Sequence, residues 1–145
     1  MSDKDDRLTI QLIASRKGED FVRSALSDIY QQPKSLTIIA NEGIHPIPSE
    51  FVFGDLHIAS TGTLDFSTVE SVNRELDIIV LDLKNKLMED RWEKVYLLPF
   101  GHSVVCMNIK MTVFRVLRIE TTDIFYFGAG KYGLIERDTR LVMTS

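Results

Sequence analysis

The sequence predicts an α/β fold, a Rossmann-like three-layer sandwich around a mostly parallel sheet of five or six strands. Three observations point there. Short runs rich in Leu, Ile, Val and Thr alternate with longer stretches whose apolar residues recur at helical spacing. That alternation favours parallel pairing, because parallel neighbours need a crossover connection, usually a helix. The chain of 145 residues, 44% hydrophobic and 26% charged, has the size and composition of one domain with its own core.

Residues 1–7 are polar and acidic and read as a flexible leader, with a single domain over 8–145. Residues 8–14 are a short Leu, Ile and Thr run and read as the first strand, broken by Ser15, Arg16, Lys17 and Gly18. Over 19–31 the apolar residues Phe21, Val22, Ala25, Leu26, Ile29 and Tyr30 share one helical face, with Glu19 and Asp20 in the first turn and Pro33 as a stop signal. Residues 36–40 are the second strand. A loop carrying Gly43, Pro46 and Pro48 follows, then a third strand over 51–60, bent at Gly54.

Ser67 and Glu70 have capping-box spacing and open a long helix. Its stripe is Val69, Val72, Leu76, Ile79, Leu83 and Leu87. Residues 94–98 form the fourth strand. Past a turn at 99–103, residues 104–118 read as a helix that is apolar on nearly every side. Residues 123–127 are the fifth strand, and 134–136 with 141–143 read as a terminal hairpin.

The formal charge of −4 and the lack of a dense basic run argue against an extended nucleic acid as partner. The amino terminus has no apolar core of a signal peptide, and no apolar run is long enough to span a membrane. The lone cysteine, Cys106, lies between Val105 and Met107 and reads as a small buried hydrophobe. These features together place the protein in the cytoplasm, without a membrane partner. No Walker A or GxGxxG pattern is present, so no dinucleotide cofactor is expected. Glu42-x-x-His45 and Asp55-x-His57 match no zinc spacing, and no metal is expected.

In open α/β sheets, ligands bind outside the carboxyl ends of the strands. Four loops there combine glycine with hydroxyl, imidazole or cationic groups: Ser15, Arg16, Lys17 and Gly18; Thr61, Gly62 and Thr63; Gly101, His102 and Ser103; and Gly128, Gly130 and Lys131. Glycine lets the backbone approach a ligand, and a helix amino terminus offers amides to an anion. The same residues also make ordinary turns and caps. The expected function is a binding module for a small phosphorylated ligand, a signalling nucleotide in class. One alternative is an enzyme cleaving a phosphodiester or glycosidic bond, with His102 as general acid or base. Another is a non-catalytic subunit of a larger assembly. Whether the chain is an enzyme is left open by its sequence.

The strand, glycine turn and buried helix from Val95 to Leu117 resemble the second ligand-binding motif of CARF domains, where a strand enters a Gly-Gly-Thr-Lys-type turn and then a helix. In that resemblance, residues 15–18 correspond to the family's first ligand loop. The related SAVED domains of anti-phage systems share the layout. The resemblance implies a homodimer that binds a cyclic oligonucleotide across its two-fold axis, in antiviral defence.

Overall fold

The computed structural model describes residues 3–30, 34–43 and 46–144. The chain forms two compact units, Met1–Gln32 and Pro33–Ser145.

The first unit pairs two helices, α1 (Asp3–Lys17) and α2 (Glu19–Tyr30). The strand expected over 8–14 is instead the body of α1, and residues 3–7 are its first turns. A short Leu, Ile and Thr run does not distinguish strand from helix by itself. The flanking charge decides: Asp3, Asp5 and Asp6 occupy the first turn and Arg16 and Lys17 the last, each sign at the end of the helix dipole that favours it. The Thr9 hydroxyl donates back to the Asp5 carbonyl at 3.0 Å, a bond that helical geometry supplies. Gly18 joins the helices at φ +92, and its amide closes α1 on the Ala14 carbonyl at 2.8 Å. Helix α2 lies where its apolar spacing predicts.

The second unit is α/β. Its five strands are β1 (Lys34–Ile39), β2 (Asp55–Ile58), β3 (Trp92–Leu98), β4 (Thr122–Gly128) and β5 (Lys131–Ile135). They are ordered β2-β1-β3-β4-β5 in a single sheet. The first four run parallel, and β5 is antiparallel to β4. The helices are α3 (Val69–Met88), α4 (Ser103–Leu117) and the short α5 (Thr139–Met143).

Strand order and crossover handedness together decide which face each connection covers. The chain steps from β1 to β2 in one direction, then from β2 to β3 and from β3 to β4 in the other. Parallel crossovers are right-handed, so opposite directions occupy opposite faces. Helices α3 and α4 accordingly pack against each other on one face. There Leu36, Ile38, Val95 and Leu97 of the sheet meet Leu76, Ile79, Leu83 and Leu87 of α3 and Val105, Ile109 and Val113 of α4. The alternate residues Ile39, Leu98 and Ile124 point the other way, against Phe51, Phe53 and Ile47 of the β1–β2 connection. The described residues of that connection hold a 3-10 turn, Ser49–Phe51, and close that face with aromatic rings: Phe53 stacks on Tyr96 at 4.3 Å between centroids.

Thr37 ties this connection down. It is fully buried in β1; its hydroxyl donates to the Phe53 carbonyl at 2.7 Å and accepts from the Phe53 amide at 2.8 Å. Just beyond, Gly54 at φ +68 passes so close to β1 that a Cβ would overlap the Ser35 carbonyl oxygen. This bend limits the third strand expected over 51–60 to Asp55–Ile58.

Two further expectations change. The cap of α3 is Thr68, whose hydroxyl accepts from the Ser71 amide at 3.0 Å while Ser71 Oγ accepts from the Thr68 amide at 3.0 Å. Ser67 is engaged one step earlier, its hydroxyl donating to Asp65 at 2.6 Å. The terminal hairpin forms between β4 and β5, not between 134–136 and 141–143. Gly128, Ala129 and Gly130 all have positive φ, which a tight turn after β4 requires. Asp138 then caps α5 by accepting from the Arg140 amide at 3.0 Å. No helix among the described residues is long and apolar enough to cross a membrane.

His57 lies on edge strand β2 with only 11% of its side chain exposed. Its Nε2 is 3.5 Å from the Asp82 carboxylate of α3 and has no hydrogen-bond partner among the described residues. Burial lowers its pKa from the ordinary 6.5, against the opposing pull of Asp82.

Replacing Thr37 by valine keeps the shape but strands the Phe53 amide and carbonyl, and is expected to cost about 1–3 kcal/mol in urea unfolding. His57 gives a pH signature. The unfolded chain binds a proton there more readily than the folded one, so its contribution is complete above pH 6.5 and is lost as pH falls below it. Between pH 7 and 5 the unfolding midpoint of His57→Gln should fall less than that of the parent; equal slopes would assign the loss to other groups.

Candidate ligand site at the carboxyl edge of the sheet

Strand β1 is the switch point of the sheet: the chain leaves β1 towards β2, and leaves β3 towards β4. The loops after β1 and β3 therefore diverge from their strand ends, the place where open α/β sheets bind ligands. Asn41 follows β1 and Gly101 follows β3, and the two approach each other closely. Gly101 has φ +93, and a Cβ there would lie 3.0 Å from the Asn41 Cβ, so glycine permits the close approach.

Asn41 is held from the β2 side. Its Nδ2 donates to the Gly62 carbonyl at 3.0 Å, and a bridge between Glu42 and Thr61 prolongs the β1–β2 pairing past the strand ends. The Ser60 hydroxyl donates to the Ala40 carbonyl at 2.6 Å. Asn41 Oδ1 is buried and has no hydrogen-bond partner among the described residues. A buried amide oxygen left without a donor costs free energy, so its environment is not fully satisfied in this structure.

Helix α4 opens at the same point. Its N-cap, His102, makes no side-chain capping bond. Intrahelical bonding leaves the first amides of a helix, here those of Ser103 and Val104, without acceptors. The dipole of a helix of 15 residues adds positive potential at that end. The His102 ring packs on Phe66, with centroids 4.4 Å apart. Behind the turn, burial pushes the Cys106 thiol pKa up, and its Sγ lies 3.9 Å from the Phe100 carbonyl. This is the environment of an inert thiol, as its apolar neighbours suggest.

The β4–β5 turn lies at the same edge of the sheet, at the carboxyl end of β4. Phe100, Gly130, Tyr126 and Tyr132 line a cleft of about 490 Å³ with Pro46 and Pro48. The Gly130 amide donates to the Tyr126 hydroxyl at 3.2 Å. Lys131 is exposed and forms no ion pair with the described residues.

The structure thus brings Thr61, Gly62 and Thr63, Gly101, His102 and Ser103, and Gly128, Gly130 and Lys131 to one edge, at the ends of β2, β3 and β4. Ser15, Arg16, Lys17 and Gly18 follow no strand. They end α1, where a helix presents carbonyls and basic side chains complement the dipole. The helix that starts after them already carries Glu19 and Asp20 in its first turn, which disfavours an anion there. His45, and with it the Glu42–His45 spacing, lies outside the described residues, as does Pro33.

Asn41 and the aromatic cleft are the features that a reading of loops by glycine content misses. The signal for Asn41 was its place directly after the apolar run that ends at Ala40. The rings of Phe100, Tyr126 and Tyr132 carried no sequence signal, because only strand pairing gathers them. Comparison with known proteins finds no match, whether to a family model, a curated protein or a solved structure.

Proposed function

We propose that this chain is a binding module for a small phosphorylated ligand, a signalling nucleotide in class, held at the carboxyl edge of a Rossmann-like sheet. The observation that supports the reading is the uncapped amino terminus of α4, which starts beside the close approach of Gly101 to Asn41, whose buried Oδ1 has no hydrogen-bond partner among the described residues. The two groups ask for different things of one molecule. The Ser103 and Val104 amides favour an anion, and Asn41 Oδ1 requires a donor. A nucleotide offers both, as phosphate and as sugar hydroxyl or base amino group. The cleft of Phe100, Tyr126 and Tyr132 offers its base an aromatic wall. His102 precedes those amides in the chain, and Lys131, exposed at the start of β5, supplies a cation from the same edge of the sheet. A cyclic oligonucleotide shared by a homodimer is the form that the CARF and SAVED resemblance favours.

A second reading, a non-catalytic subunit of a larger assembly, is favoured by one observation. Met107, Phe125 and Phe127 are exposed by 45–63% on the same side of the sheet as α4. Apolar area of that kind commonly marks a protein contact.

The test is a thermal-shift series with inorganic phosphate, cyclic mononucleotides and cyclic di- and trinucleotides. A ligand at a hundred times its dissociation constant stabilises the fold by about 2.7 kcal/mol. Ser103→Glu places a carboxylate on the same amides. The variant should remain folded, gain up to about 1 kcal/mol without ligand, and lose the ligand-induced shift. A shift that survives Ser103→Glu, or a series with no shift at all, rejects the site and leaves the assembly reading.

A further inference from the structure

The opposite edge of the sheet carries a second concavity. Strand β4 begins there, β5 ends there and α4 runs out there, enclosing a pocket of about 460 Å³. That is within the range that takes small organic ligands. One wall is apolar, made by Met111 and Phe114 of α4 and Ile135 of β5, which are 44%, 46% and 37% exposed.

The floor is polar but committed. Lys110 Nζ donates to both Asp123 carboxylate oxygens and to the Thr121 hydroxyl, each at 2.7 Å. The ammonium's donors are thereby used and its charge is matched by Asp123. Arg115 and Arg137 also line the pocket, and neither forms a hydrogen bond or ion pair with any described residue. Glu120 is the remaining charged group in the lining, so two uncommitted cations face one anion.

We infer that this pocket binds an organic anion with an apolar body. Its acid group is held by Arg115 and Arg137, whose planar guanidinium forks match a carboxylate in two-point geometry. Its acyl or aromatic body covers Met111, Phe114 and Ile135. A neutral lipid would leave both guanidinium groups unanswered, and a simple inorganic anion would leave the apolar wall in water. The pocket lies at the amino end of β4, whereas Asn41 and Gly101 lie at carboxyl ends of strands, so the inference does not rest on the phosphorylated-ligand reading.

The probe is 8-anilinonaphthalene-1-sulfonate, which combines an acid group with aromatic rings, read by its fluorescence on the purified full chain. Saturable one-site binding is expected, displaced by octanoate at concentrations at least about tenfold below those needed of octanol. Arg115→Gln with Arg137→Gln should weaken the probe and octanoate by about tenfold or more without moving the thermal midpoint. Met111→Gln with Phe114→Gln should weaken both as well. Equal displacement by octanol, unsaturable binding, or parent-like affinity in the arginine double variant overturns the inference. So does a change of sedimentation mass in the Met111 and Phe114 variant without loss of probe binding, which would make the groove a seat for another protein chain.

Discussion

Strand β1 lies inside the sheet, with parallel neighbours on both sides, and the rest of the 33–145 unit follows from that placement. A chain leaving an interior strand must go left or right, and right-handed crossovers convert that choice into a choice of face. The step to β2 sends residues 46–53 to one side. The return through α3 and onward through α4 loads the other with helices. Because the two departures diverge, Asn41 and Gly101 come together at the point of divergence, and α4 begins beside them. Core and site edge are consequences of a single topological constraint.

Most of that core was legible in the residues. The stripe of α3, the continuous apolar runs of β1 and β3 and the crowded apolar face of α4 each bury enough hydrocarbon to override local alternatives. Helix α4 reads as apolar all round because both its faces matter: Val105, Ile109 and Val113 meet the sheet, while Met107, Met111 and Phe114 stay exposed. The loops after β2, β3 and β4 are where strand–helix alternation places them, since the carboxyl ends of parallel strands share one edge.

What was not legible has physical reasons too. Residues 8–14 have β-like composition, but the terminal charges of α1 act through the helix dipole and outweigh it, so Ser15 to Gly18 follow a helix in the chain and not a strand. Thr68 displaced Ser67 as the cap because Asp65 had already engaged the Ser67 hydroxyl. The partner of β5 depended on positive φ at Ala129, which a non-glycine residue does not advertise. The pocket at Arg115 and Arg137 joins α4 to residues about twenty positions later, a proximity that only the β4–β5 pairing creates.

That pairing has one more consequence. Among the described strands, β4 and β5 are joined by the fewest intervening residues, whereas every parallel pair waits on a crossover. Loop-closure entropy rises with the length of chain that must be gathered, and pairings close in sequence form fastest. The hairpin is therefore the part of the sheet that can assemble before the helices have settled. It is also the one strand pair whose survival, if the crossovers were to open, would not depend on the rest of the fold to keep its partners near each other.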